Sequence, residues 1–244
     1  MNTINIPPVV KNLLIINVLF FIATWVLETK GIDLATYLGA FYFDSPNFKI
    51  WQPITYMFMH GGFTHILFNM FALYSFGSVL EAHWGPKRFI NFYLITGLGA
   101  LALQWGVQAF EIYQITGTPV AHQVLSLTSL EQGQYNPSLY SANQASTLYG
   151  TYFGPMVGAS GAIFGLLVAF GMLYPNAELY IMFIPVPVKA KYIIPVYILI
   201  ELSLGVAQFQ GDSIAHYAHL GGALLGFILV RLWKNKNTFY DYYD

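Results

Sequence analysis

The chain reads as an all-α polytopic membrane protein, a six-helix transmembrane bundle with both termini cytoplasmic. Three observations predict this. Charged residues make up 9% of the 244 residues, against roughly 25% in an ordinary soluble domain, and so few cannot cover a soluble surface of this size. Apolar residues make up 56% and gather in stretches close to the ~20 residues that a spanning helix needs. These stretches lie at about 10–28, 55–80, 88–110, 158–174, 192–209 and 213–233. Finally, Lys and Arg are divided unequally between the two sets of connections, which sets orientation. The length suits one compact membrane domain over 1–244.

Taken in order, the first span begins too late and runs too far to be a cleavable signal peptide. It also lacks a small-residue cleavage site, so it reads as a retained helix. Residues 29–52 carry Pro46, Trp51 and several Tyr and Phe, which suits an interfacial, partly embedded loop. Residues 111–157 contain no Lys or Arg and many Ser, Thr, Gln and Tyr, as expected of an outside loop or cap. The fifth span is introduced by Ile184-Pro185-Val186-Pro187, a stiff segment that predicts a defined cytoplasmic turn. The short connection Gln208-Phe209-Gln210-Gly211-Asp212-Ser213 lies near the outer mouth, where Gly211 suits a hinge. It reads as a lid, with the fifth helix as a lateral gate.

Lys11, Lys87, Arg88, Lys189, Lys191, Arg231, Lys234 and Lys236 all fall on one side, whereas Lys30 and Lys49 fall on the other. The richer side is cytoplasmic. The second, fourth and sixth helices therefore run from outside to inside. A net charge of −1 carries no polyanion signature, so nucleic acid is not an expected partner. The absence of Cys excludes disulfides, thiolate metal sites and a cysteine nucleophile, and leaves the redox compartment open. No internal repeat supports an inverted-repeat transporter.

Polar groups at membrane depth are costly and usually face a cavity or the bundle interior. The second span holds His60, His65 and Asn69, the fourth Ser160, the fifth Glu201 and the sixth His216 and His219. Those on the second, fourth and sixth spans all lie in the outer half of their helices. His219 is roughly 9 Å down at 1.5 Å per residue. His65 and Asn69, four apart, share a face. Gly161 and Gly165 on the fourth span, and Gly222 and Gly226 on the sixth, have the spacing that lets backbones approach closely. Packing these faces together carries Ser160 toward His219.

A serine hydroxyl needs a base within hydrogen-bond reach, and neutral histidine is the usual one. Ser160 at a helix start also has unpaired backbone N–H groups beside it that suit an oxyanion. Asn69 and His65 are further donors for that purpose. Every Asp lies outside the spans, so the expectation is a Ser–His dyad without a carboxylate. Glu201 reads as a structural hydrogen-bonding group rather than part of a proton or ion path.

The segments His60-Gly-Gly-Phe-Thr-His65-Ile-Leu-Phe-Asn69, Gly158-Ala159-Ser160-Gly161 and Ala218-His219-Leu-Gly-Gly222-Ala-Leu-Leu-Gly226 resemble the rhomboid family of intramembrane serine proteases. The resemblance covers all six spans in order. It implies Ser160 as nucleophile and His219 as general base. His65, Asn69 and the Ser160 N–H would form the oxyanion hole, with His60, Gly158, Phe164 and Gly222 supporting the site. It implies no metal and no cofactor. The partners would be the lipid bilayer and transmembrane substrates, cut near the outer end of their helix. Oligomeric state is not readable, but one chain suffices for the site. A bare six-span core suggests, by resemblance, a bacterial plasma membrane. Where the family often has Trp-Arg in the first loop, this chain has Trp51-Gln52. An aromatic four residues after the serine, here Phe164, would stack on the histidine.

Two rivals stand beside this expectation. A metalloprotease has little support, because His216 and His219 are three apart with no His-Glu-x-x-His. A rhomboid-like protein that binds membrane clients without cutting them is the stronger rival. Such relatives generally lose the serine or the histidine, and this chain keeps both.

Overall fold

Ile15, Leu19, Ile22 and Trp25 recur at helical spacing and yet stand exposed, Trp25 by 66%. A surface that is apolar over whole helices is what a lipid-facing bundle presents. A computed structural model describes residues 6–122, 125–180, 186–207 and 215–237 of this chain. Its helices are α1 (Pro8–Glu28), α2 (Leu34–Leu38), α3 (Gln52–Thr55), α4 (Phe63–Ala72), α5 (Ser78–Trp84) and α6 (Pro86–Thr116). Then follow α7 (Leu127–Glu131), α8 (Ala142–Phe153), α9 (Ser160–Leu173), α10 (Ala190–Ala207) and α11 (His216–Asn237). An antiparallel hairpin of β1 (Glu178–Tyr180) and β2 (Pro187–Lys189) precedes α10, with Glu178 opposite Lys189.

Among the described residues, four helices are long and apolar enough to cross a membrane: Pro8–Glu28, Phe63–Trp84, Pro86–Thr116 and Ala190–Ala207. The fold is thus that of a polytopic helical membrane protein. The fourth and sixth predicted stretches are also helical, as the 14-residue α9 and the 22-residue α11.

The second predicted span needs correction. It begins at Phe63, where 55 was expected, because Gly61-Gly62 interrupts the chain and residues 52–58 coil into α3 and one 3₁₀ turn. Tyr56, Met57 and Met59 are buried within the protein, Tyr56 and Met57 against α6, with the Tyr56 hydroxyl donating to Gly97 O at 2.7 Å. Within Phe63–Trp84, residues Leu73–Gly77 form a π turn. The third span runs on to Thr116 and stops at Gly117, whose φ of 78° is the left-handed cap that favours glycine. About half of the described residues in 111–157 are therefore helical. α8 starts with a reciprocal capping box between Ser141 and Gln144.

Helix α9 is the centre of the bundle, with nearly all of its first three turns buried. It packs between α6 and α11 through glycines. A Cβ built on Gly222 would lie 1.8 Å from Gly161 O, and one on Gly226 2.8 Å from the Cα of Gly165. On the α6 side, a Cβ on Gly161 would meet that of Ala100 at 2.4 Å. No larger residue permits these approaches.

The contacts of Glu81, His83 and Trp84 show which helix ends lie together. Both Glu81 oxygens accept from the first turn of α1, from Val9 N at 2.9 Å and Val10 N at 2.7 Å. The buried carboxylate thereby caps a neighbouring helix N-terminus. Trp84 meets Trp233, Arg88 lies over Trp233, and His83 reaches the Tyr174 hydroxyl. The start of α1 and the ends of α5, α9 and α11 therefore share one face. Ser160 and His219, at the opposite helix ends, lie at the other.

Above that second face, residues 111–157 dock on the first loop through Asp44. Its Oδ2 accepts from Ala121 N, His122 N and the Tyr152 hydroxyl, and its Oδ1 pairs with His122 Nδ1. Gln52 does the anchoring inside the loop. Its amide accepts from Lys49 N and Phe41 N and donates to Asn47 O, with the side chain fully buried. The expected turn at Ile184-Pro185 and the expected lid at 208–213 lie outside the described residues.

Candidate active site

Gly158 holds φ +136°, a conformation that L side chains rarely adopt, and its N–H donates to Tyr56 O at 3.0 Å. The chain then turns into α9, with Ala159 as N-cap and Ser160 as the first helical residue. On the facing helix His219 lies in the first turn of α11, three residues before Gly222. The close Gly222–Gly161 approach brings the two side chains together, and Ser160 Oγ is 2.8 Å from His219 Nε2. The Phe164 ring lies flat on the imidazole, with centroids 4.4 Å apart and planes 7° apart.

Of the other expected residues, His65 stands across Gly158. A Cβ placed on Gly158 would be 3.0 Å from His65 Nε2 and 3.4 Å from Ser160 Oγ, so both groups border one small gap. His60 is in the lead-in before α4, not in a spanning helix, with its ring 5.1 Å from that of His65. Asn69 is buried one turn beyond His65, and its Nδ2 has no hydrogen-bond partner among the described residues. No hydrogen bond joins Asn69 or His65 to Ser160 among those residues.

The expectation that no carboxylate reaches His219 is corrected. Glu201, on α10, places Oε2 2.9 Å from His219 Nδ1 and 2.6 Å from His216 Nδ1. The carboxylate is a Glu from a separate helix, not an Asp. The signal was a single carboxylate in an apolar span, which requires a partner in the bundle interior. Glu201, His216 and His219 are also the described residues whose donor atoms could hold an ion, all within 4.8 Å of one another. His219 already spends Nδ1 on Glu201 and Nε2 on Ser160, so an ion here would displace the arrangement around the serine.

Outside the spans, the charged centre is Asp44. Burial raises its carboxyl pKa, but hydrogen bonds from Tyr152 and His122 outweigh this and hold it below its usual 3.8. Burial, together with the charge of Asp44, pushes the Tyr42 phenol up to about 12.

The Rhomboid domain model matches residues 47–235. The chain belongs to the rhomboid family. This rhomboid chain is 24% identical over 230 residues to an uncharacterized mitochondrial rhomboid protein of Schizosaccharomyces pombe, covering 84% of this chain and 57% of that one. It is 29% identical over 171 residues to the mitochondrial rhomboid protein 1 of Saccharomyces cerevisiae, covering 69% and 38%. Against the chloroplastic rhomboid-like protein 11 of Arabidopsis thaliana it is 26% identical over 227 residues, covering 90% and 63%. The chain spans about half the length of the curated relatives it matches. The expectation of a bacterial plasma membrane is overturned here. Relatives whose names give a location are mitochondrial or chloroplastic, which points to an organellar membrane of a eukaryote. The resemblance had rested on the bare core, and a core common to the family carries no address.

Proposed function

We propose that this rhomboid is an intramembrane serine endopeptidase that cleaves transmembrane proteins near the outer membrane face. The observation that carries the proposal is the 2.8 Å approach of Ser160 Oγ to His219 Nε2, a nucleophile and base within hydrogen-bond reach. In the proposed reaction Oγ attacks the scissile carbonyl carbon while its proton passes to Nε2, and the carbonyl electron pair moves onto oxygen. The C–N bond then breaks, and the leaving amine takes the proton from Nε2. Water repeats the sequence in reverse to free the acyl group and restore the serine.

The developing oxyanion falls to the Ser160 N–H at the start of α9, with His65 and Asn69 Nδ2, which has no partner among the described residues, as further donors. Six spanning helices, cytoplasmic termini and one domain complete the proposal, on the distribution of Lys and Arg. No metal or cofactor has a part in it. The test is cleavage of a single-span model substrate in proteoliposomes. Wild type should release two fragments cut inside the span, while Ser160→Ala and His219→Ala release none. Binding of the substrate by wild type without any cut would make the chain a client-binding protein instead.

A further inference from the structure

We propose that Glu201 is the positioning residue for His219, so that the reactive set runs Ser160–His219–Glu201 across three helices, with His216 sharing the carboxylate. This rests on the hydrolase reading above and adds to it a residue that a dyad leaves out.

The inference comes from the geometry at one oxygen atom. Glu201 Oε2 lies 2.9 Å from His219 Nδ1 and 2.6 Å from His216 Nδ1. An ionised carboxylate only accepts hydrogen bonds, so both Nδ1 atoms carry their protons. A neutral imidazole with Nδ1–H keeps its lone pair on Nε2. In His219 that atom faces Ser160 Oγ at 2.8 Å, so the serine hydroxyl is the donor. The tautomer that a general base needs is thus imposed from the far side of the ring. With the hydrogen bond reversed, Nε2–H would point at Oγ and the serine could not be deprotonated.

The same contact sets direction and charge. Phe164 restrains the imidazole by lying on its face, but a flat stack does not stop the ring turning in its own plane. The Nδ1–H to Oε2 bond does. When Nε2 takes the serine proton, His219 becomes a cation beside a carboxylate that is only 5% exposed, where attraction is least screened. Glu201 itself never takes the proton. A buried lone carboxylate is costly unless it is fully bonded, and His216 supplies the second donor. His216 lies 15 residues from Glu201 and His219 lies 18, so α10 and α11 are tied by one group at the level of the serine.

The test uses the full chain with a single-span substrate in proteoliposomes, read as kcat and KM beside the melting temperature. Glu201→Gln keeps the shape but removes the charge and the acceptor-only character. It should lower kcat about a hundredfold, with KM within about threefold of wild type. Glu201→Asp should recover about tenfold of that loss. His216→Asn leaves the His219–Glu201 bond in place and should cost less than about tenfold. A second measurement needs no substitution at Glu201: ¹⁵N spectra of imidazole-labelled protein should show His219 as the Nδ1–H tautomer. Folded Glu201→Gln with wild-type kcat, or His219 as the Nε2–H tautomer in wild type, overturns the proposal. Should Glu201→Gln fail to fold, the wild-type spectrum decides. Folded wild type that binds the substrate without cutting it would instead defeat the hydrolase reading, and the tautomer would still be read from the spectrum.

Discussion

Phe164 lies flat against His219, its ring centroid 4.4 Å from that of the imidazole. The two residues sit on α9 and α11, and the stack holds the imidazole from one face while Ser160 and Glu201 hold its two nitrogens. Phe164→Leu keeps an apolar side chain of similar bulk and loses the stack. A ring pair is worth about 0.5–1.5 kcal/mol beyond its area. Steady-state cleavage should therefore show kcat/KM lowered about twofold to tenfold, with Phe164→Tyr close to wild type.

The glycine interface makes a sharper prediction. Gly222→Ala would place a methyl group 1.8 Å from Gly161 O, with backbone as the obstacle. The helices must separate, which breaks the approach of His219 to Ser160. Thermal melts in detergent should fall, and active-site labelling should be lost. Gly106→Ala, in the middle of α6 with nothing within 4 Å of its added Cβ, is the control. It should gain up to about 1 kcal/mol of helix stability.

Asp44 predicts a pH dependence for the docking of residues 111–157. Its folded pKa is below the usual 3.8 because Tyr152 and His122 outweigh the effect of burial. A depressed carboxyl contributes stability above its unfolded value and loses it as pH falls through its folded value. Hydrogen-exchange protection in α7 and α8, taken relative to the intrinsic rate at each pH, should therefore be unchanged from neutral pH to about pH 4 and fall below 3.8. Asp44→Asn should show raised exchange at neutral pH, and its difference from wild type should vanish in acid.

Glu81 tests the opposite face. Its two oxygens take the N–H groups of Val9 and Val10, and Glu81→Gln leaves one of them facing an amide NH₂. Hydrogen bonds to a charged group are worth about 1.5–3 kcal/mol. Chemical unfolding should show a loss of that order, while Ser160 in the folded fraction keeps its reactivity.

How much of this was legible before the structure depended on sequence distance. Ser160, His219 and the four glycines were readable because helical spacing alone places Gly222 and Gly226 on the face of His219. The His219–Glu201 bond was not, since it depends on the rotation of α10 against α11, which no spacing encodes. Hydropathy placed the second span too early because Tyr56, Met57 and Met59 are apolar for burial in protein, not in lipid. The docking of Asp44 on Tyr152 joins residues 108 apart. The Ser141–Gln144 capping box, in contrast, is a local signal for the start of α8 that four consecutive residues carry.

The central claim is that Ser160 is an activated nucleophile, and intact mass after fluorophosphonate treatment tests it most directly. Folded wild type should gain a single adduct, mapped to Ser160, while Ser160→Ala and His219→Ala gain none. Folded wild type without an adduct, or an adduct that persists in Ser160→Ala, would contradict it.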